Sequence, residues 1–137
     1  MKLTVVRKSP KLMQAVEDKA VRGVKKVVYT ATQYVASEAK QSILQNPRAG
    51  REVVRYNPKR TVRTSAEGDP PASDTGNLAT LISTEVRADG MSGKCISKAS
   101  YSKALEYGTS KMAARPFLQP AAEKTRPLIK ARLKGIL

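Results

Sequence analysis

Hydrophobic residues recur at steps of three or four through the first third of the chain. The positions that follow this spacing are Met13, Val16, Ala20, Val24, Val27, Ala31 and Val35. On a helical wheel they share one arc of about 100°, and lysine and arginine residues fall on the other side. Ser9 can cap a helix and Pro10 suits its first position, whereas Asn46 precedes a proline and is pushed out of the α region. The pattern predicts a helix over about residues 10–45, which is long for a domain of this size. Such a helix is either kinked or extends beyond the core, where it offers surface to another subunit.

Two later segments, about residues 51–65 and 82–98, are predicted to form strands, and in the second one Ile82, Thr84 and Val86 alternate with polar residues as in a half-buried strand. An Asn-Pro dipeptide at 57–58 divides the first segment, and an Asp-Gly dipeptide at 89–90 divides the second. Both dipeptides favour turns, and the many arginines of the first segment indicate an edge or a hairpin that stands in solvent. The two segments together predict a small antiparallel β-sheet.

A second helix is predicted over about residues 116–134. Hydrophobic side chains fall roughly on one face there, at Phe117, Ala121, Leu128 and Leu133. Pro127 removes a backbone donor from this segment and should kink or divide the helix. Packing both helices on the sheet gives an α+β fold in a single domain over residues 1–137.

Turn residues and anchors between these elements support further predictions. Asp74 or Thr75 is expected to cap a short helical turn. Gly108 can adopt a left-handed conformation that ends a second turn, and Pro116 has a preset φ that suits the opening of the last helix. Phe117 is the only Phe in a chain without Trp, and we predict that it is buried in the core.

The formal net charge of +15 is distributed unevenly along the chain. Residues 1–63 carry 15 Lys and Arg against 4 Asp and Glu, and residues 111–137 carry 7 against 1, whereas residues 64–110 carry 4 against 6. Such a field attracts polyanions or acidic protein surfaces without identifying which. The basic face predicted for the first helix comprises Lys19, Arg22, Lys25 and Lys26.

The composition argues against catalysis. The chain has no histidine, which is the most common general base and metal ligand. Its sequence also lacks a Cys/His cluster, a glycine-rich phosphate loop and a nucleophile elbow. We therefore expect no enzymatic activity, no cofactor and no metal. Glu106 is expected to be a helix-end or inter-subunit partner of an Arg or Lys rather than an acid catalyst.

Compartment is indicated by the cysteine content and by hydropathy. The single Cys95 cannot form an internal disulfide, which suits a reducing cytosol, and it is expected to be a small buried hydrophobe on a strand. Residues 1–8 contain too short an apolar stretch for a signal peptide, and no uncharged stretch is long enough to span a bilayer. We expect a soluble protein that is made in the cytoplasm and has no membrane partner.

Two motifs resemble those of a known family. They are GDPPASDTGNL at residues 68–78, and YSKALEYGT at 101–109 followed by ARPFLQPA at 114–121. In this order and at this separation they are similar to the signatures of the small tail-completion proteins of lambdoid siphophages, the gene-product-ten-like head–tail joining proteins. The motif and core anchors are Thr75, Gly76, Leu78, Tyr101, Leu105, Glu106, Gly108, Pro116 and Phe117.

The resemblance implies a structural virion protein of the phage neck. Such a protein assembles as a homo-oligomeric ring, a hexamer, which completes the tail and joins it to the head connector. The implied partners are further copies of the chain, the head-closure or connector protein, the tail tube protein, and double-stranded DNA in the lumen without sequence specificity. In this interpretation, the loop after Gly108 contacts an adjacent subunit or the tail tube through Thr109, Lys111, Met112 and Arg115.

The alternative interpretation is a small basic nucleic-acid-binding protein. The basic helix face and the arginine-rich hairpin would then contact phosphates. The basic stretches lack interleaved aromatic residues for base stacking, and the sequence has no helix-turn-helix, zinc or OB signature. The structural role is therefore the leading prediction, and nucleic-acid binding is the alternative to it.

Overall fold

The computed structural model describes residues 9–136, so the signal-peptide prediction for residues 1–8 falls outside the described residues. Helices and strands follow one another as α1 (Pro10–Gln45), β1 (Glu52–Tyr56), β2 (Lys59–Arg63), α2 (Asn77–Thr80), β3 (Ile82–Val86), β4 (Gly93–Ser97), α3 (Ser102–Tyr107) and α4 (Leu118–Lys134). The two long helices and the short antiparallel strands confirm the α+β class.

Helix α1 begins and ends at the residues that the local chemistry favours. The Ser9 side chain accepts a hydrogen bond from the Leu12 amide at 3.2 Å, and Pro10 is the first helical residue. At the other end, Asn46 has φ −66° and ψ 129°, which is the extended conformation expected before a proline. A single uninterrupted helix of 36 residues results.

The strands form two separate two-stranded sheets rather than one sheet. β1 pairs with β2 so that Glu52 lies opposite Arg63, and β3 pairs with β4 so that Ile82 lies opposite Ser97. Most side chains of β1 and β2 are exposed, and many of them are charged. Because this hairpin lacks a continuous apolar face, it gains little by joining the other sheet, and it lies in solvent as the arginines indicated.

The core lies between the C-terminal half of α1, the β3–β4 hairpin and the start of α4. Its buried hydrophobic residues are Ala36, Ala39, Ile43, Leu78, Ala79, Ile82, Ala99, Phe117 and Ala121. A glycine on β4 allows α1 to approach closely: a Cβ added to Gly93 would lie 2.0 Å from Thr32 Oγ1. The predicted hydrophobic stripe from Met13 to Val35 is only partly buried, because Met13 and Val16 are 49% and 62% exposed.

Helix α4 packs on a different face of α1. Lys124 pairs with Glu38, and the Arg132 guanidinium lies 5.3 Å from the centre of the Tyr34 ring. The helix starts at Leu118 rather than at Pro116, and Pro127 does not divide it. Leu128 was predicted to lie on the covered face, but it is 42% exposed.

Candidate functional site

The segment between α3 and α4 is organised by the carboxylate of Glu106. Its Oε2 accepts hydrogen bonds from the amides of Phe117 at 2.9 Å and Leu118 at 3.1 Å, and its Oε1 accepts one from Gln119 at 2.8 Å. The next residue, Pro120, has no amide hydrogen. All four amide positions that lack an intrahelical partner at the start of α4 are thereby accounted for, and the carboxylate faces the positive end of the helix dipole.

Glu106 lies at a helix end, as predicted, but within residues 9–136 its carboxylate meets backbone amides rather than an Arg or Lys, and the inter-subunit partner stays a prediction. Its partners are backbone amides eleven to thirteen residues further along the chain. A local capping signal joins residues three apart, so no such signal could identify this contact. Pro116 and Pro120 were the sequence features that pointed to this helix start. Prolines there leave fewer amide groups that need a hydrogen-bond acceptor.

The loop that follows Gly108 is a compact turn. Gly108 has φ +75°, and an added Cβ would lie 2.9 Å from both the Ala114 nitrogen and the Met112 oxygen, so glycine is required here. The Thr109 amide donates to the Met112 carbonyl at 2.8 Å, and the Met112 amide donates back at 3.3 Å. Thr109 and Lys111 are exposed, and Met112 is half-buried.

Arg115 does not share the surface of that turn. Its amide donates to the Leu105 carbonyl at 2.6 Å, and its side chain lines a groove on the other side of the segment. The four residues predicted to form one contact therefore divide into an exposed pair, Thr109 and Lys111, a half-buried Met112, and an Arg115 that belongs to a different surface.

The second motif, at residues 68–78, surrounds the short helix α2. Gly76 precedes this helix with φ +76°, and its amide donates to the Ser73 hydroxyl at 3.0 Å. No side chain caps α2 within the described part of the chain, so the predicted capping by Asp74 or Thr75 is wrong. Asp74 instead pairs with Arg60 at 2.8 Å, and Thr75 is exposed.

The predicted anchor residues differ in how deeply they are buried. Leu78 and Phe117 are buried in the same core, with Phe117 fully inaccessible, and Leu105 packs against that core while half-buried. Tyr101 is 45% exposed and Pro116 is half-buried. The two motifs, which are distant in sequence, therefore meet at one core through Leu78 and Phe117.

A groove lined by arginines lies between the β1–β2 hairpin, the loop before α2, and α3. We call it the basic groove; its volume is about 570 Å³. The ionisable side chains that line it, tyrosines aside, are Arg48, Arg55, Arg60, Arg63, Arg115 and Asp74. The arginine-rich hairpin was predicted from the sequence, but the positions of Arg115 and Arg48 beside it were not, because the three segments meet only in the fold.

The predicted basic face of α1 is exposed at all four positions, Lys19, Arg22, Lys25 and Lys26. Lys25 also covers the β3–β4 turn, since a Cβ on Gly90 would lie 2.8 Å from its Cγ. Helical spacing puts Lys19, Arg22 and Lys26 on one side of the helix. These three residues are the part of the predicted face that is free to meet a polyanion.

One apolar surface at the start of α1 is exposed among the described residues, 9–136. Met13, Val16, Ala20, Gly23 and Val27 follow one another at steps of three or four, so they share a face of the helix. Ile136, just after α4, packs at Gly23, where a Cβ would lie 3.1 Å from its Cγ2. Beyond that point the face is exposed, and we call this part the N-terminal seam: Leu12, Met13 and Val16, which are 56%, 49% and 62% exposed.

Cys95 lines a second cavity, of about 590 Å³, between α1, β4, α3 and α4. Burial raises the pKa of its thiol above the ordinary value, and the positive charge of Lys40 partly opposes that shift. The thiol therefore stays protonated at neutral pH, which makes it a poor nucleophile. It lies on β4, as the sequence indicated, but it is half-buried rather than buried.

Within residues 9–136, no helix is both long enough and apolar enough to cross a membrane. No protein-family model matches the chain, and neither a curated protein nor a solved structure matches it.

Proposed function

We propose that this chain is a structural subunit of a phage neck. In this proposal it forms a ring, a hexamer by analogy with the family it resembles, that completes the tail and joins it to the head connector, with the genome passing through the lumen. Two observations support the proposal. One is the pair of sequence motifs at residues 68–78 and 101–121, and the other is the uncovered N-terminal seam of α1.

The N-terminal seam is the observation that carries the proposal. It continues the face of α1 on which Ile136 packs at Gly23, so it has the spacing of a packing surface rather than that of scattered surface residues. Burying one such side chain is worth about 1.5–3 kcal/mol. A neighbouring subunit that covered the seam would therefore gain several kilocalories per mole, which suits repeated contacts around a ring.

Other exposed features supply surfaces for further contacts. The β1–β2 hairpin lies outside the core, and the turn with Thr109 and Lys111 is exposed near the start of α4. The exposed Lys19, Arg22 and Lys26 would attract DNA phosphates without reading base sequence. Such contacts suit a duplex that moves through a lumen.

Removing the gene from the phage that encodes it tests the proposal. Electron microscopy of the lysates should show filled heads and separate tails, because each half of the particle assembles without the joining ring. Joined particles at the normal frequency would refute the joining role. Complementation with the wild-type chain is the control, and it should restore joined particles.

A small basic nucleic-acid-binding protein is the second candidate. The exposed side of α1 with Lys19, Arg22 and Lys26 supports it. It ranks second because it assigns no role to the N-terminal seam. Binding of duplex DNA by the isolated chain, with the steep salt dependence of several phosphate contacts, together with normal particle joining in the deletion, would favour this candidate.

A further inference from the structure

We propose that the basic groove binds an extended, acidic segment of a partner protein, with side-chain carboxylates of that segment on the groove arginines. All residues of the groove belong to one chain, so the proposal does not depend on a ring or on a phage partner. It concerns a surface that lies at the C-terminal end of α1, far from the N-terminal seam.

One wall of the groove is a face of the β1–β2 hairpin. Arg55 and Arg60 are paired across the two strands, and Val62 follows two residues after Arg60, so all three side chains lie on the same face. The opposite wall is the loop around Asp74, and Leu105 and Arg115 lie at the α3 side. Cationic and apolar groups thus line the same concave surface.

The arginines of the groove already bind carboxylate and carbonyl oxygens. Arg60 pairs with Asp74 at 2.8 Å, with the two side chains 42% and 27% exposed. The Arg48 guanidinium donates to the Ser73 carbonyl at 2.6 Å, and Arg63 pairs with Glu52 at 3.2 Å. Partly exposed ion pairs of this kind are weak, so a partner carboxylate can exchange with them.

The groove also contains polar atoms that have no protein partner. Ser65 is 1% exposed, and its Oγ forms no hydrogen bond with any described residue. Close backbone packing fixes the position of Ser65. The Gly50 amide donates to the Thr64 carbonyl at 2.7 Å, and a Cβ on Gly50 would lie 2.1 Å from the backbone carbonyl oxygen of Ser65. Arg115 Nε is likewise inaccessible and unpaired within residues 9–136.

These unpaired groups favour a carboxylate over a phosphate as the ligand. Buried polar groups are normally satisfied, so these two groups favour a ligand that brings a hydrogen-bond acceptor to the floor of the groove. A carboxylate stands at the end of a flexible side chain and can reach that floor, and its planar shape matches the guanidinium fork. A phosphodiester is flanked by sugars inside a polymer, which restricts its approach to the same floor.

The apolar residues that line the groove also favour a peptide as the ligand. Val62, Leu78 and Leu105 lie between the arginines, and they can contact the aliphatic stems of glutamate side chains or neighbouring apolar residues. Tyr56 and Tyr101 also line the groove and could stack on bases, so single-stranded nucleic acid is the ligand against which the proposal must be tested.

Fluorescence anisotropy of labelled hexaglutamate with the full chain tests the proposal, with hexaglutamine and a single-stranded hexathymidylate as comparison ligands. Hexaglutamate should bind and hexaglutamine should not. Arg55→Glu should weaken hexaglutamate binding by about tenfold or more, because it inserts a negative charge between the groove arginines. Lys130→Glu on α4 changes the net charge equally and should alter binding by less than about threefold.

Several results would overturn the proposal: no binding of hexaglutamate, equal weakening by the two substitutions, or hexathymidylate that binds more tightly and is lost in Arg55→Glu. A second measurement on the unmodified chain does not depend on how the variant folds. Amide resonances of Val62, Ser65 and Arg115 should shift on titration with hexaglutamate. Shifts confined to α1 between Lys19 and Lys26 would place the peptide elsewhere and would also overturn the proposal.

Discussion

The two ends of α1 belong to one continuous helix, but among residues 9–136 they differ in burial: the C-terminal half enters the core, and the N-terminal end is exposed. That half contributes Thr32, Ala36, Ala39 and Ile43 to the interior. Every residue from 10 to 19 is exposed. The reason is length, because α4 has 17 residues, about 26 Å, whereas α1 has 36, about 54 Å. A periodic stripe thus identifies a packing face, but it does not say whether the same chain supplies the cover.

Because only the C-terminal half of α1 enters the core, we predict that substitutions in and around that half lower the free energy of unfolding. Phe117 is fully buried beside α1, and Phe117→Ala should lower the free energy of unfolding by about 3–5 kcal/mol. Tyr107, which is 74% exposed, is the matched control, and Tyr107→Ala should cost less than about 1 kcal/mol. Urea unfolding followed by circular dichroism measures both, and equal losses would show that Phe117 is not the anchor.

The close contact between β4 and α1 should also make a single substitution costly to stability. Gly93→Ala would place a Cβ 2.0 Å from Thr32 Oγ1, and we expect a loss of about 1–3 kcal/mol in unfolding free energy. Thr32→Ala removes that oxygen, so the double variant should recover part of the loss. A double-mutant cycle with no coupling between the two positions would contradict the close packing.

The cap of α4 should have a smaller effect. Glu106→Ala removes the acceptor of three backbone amides, and we expect it to cost about 1–2 kcal/mol. Glu106→Gln keeps one oxygen acceptor and should cost less. Glu123→Ala, an exposed carboxylate later in the same helix, is the control for charge removal. A Glu106→Ala variant as stable as Glu123→Ala would show that the cap contributes little.

Much of this fold follows from local patterns. Ser9, Pro10 and Asn46 mark the ends of α1 because capping and proline effects act within a few residues. The separation of the hairpins into two sheets was not predictable in this way, because strand alternation does not specify which strands pair. The Glu106 cap and the basic groove were missed for a similar reason: each joins segments that are distant in sequence, and Arg48, Arg60 and Arg115 become neighbours only through the fold.

The projecting half of α1 should tolerate substitution without loss of stability. Val16→Asp lies on the N-terminal seam, and Gln14→Asp lies in the same helical turn on the other side, so the two variants add the same charge at different faces. Both positions are exposed, and each substitution should change the unfolding free energy by less than about 0.5 kcal/mol. A large loss in Val16→Asp would mean that the seam is covered within the single chain.

The most direct test of the central claim, that the seam is a contact surface of the phage neck, is the plating titre of the gene-deleted phage complemented with these two variants. The account predicts that Gln14→Asp restores the wild-type titre, whereas Val16→Asp, although equally stable, restores no more than an empty vector. A wild-type titre with Val16→Asp would contradict the claim.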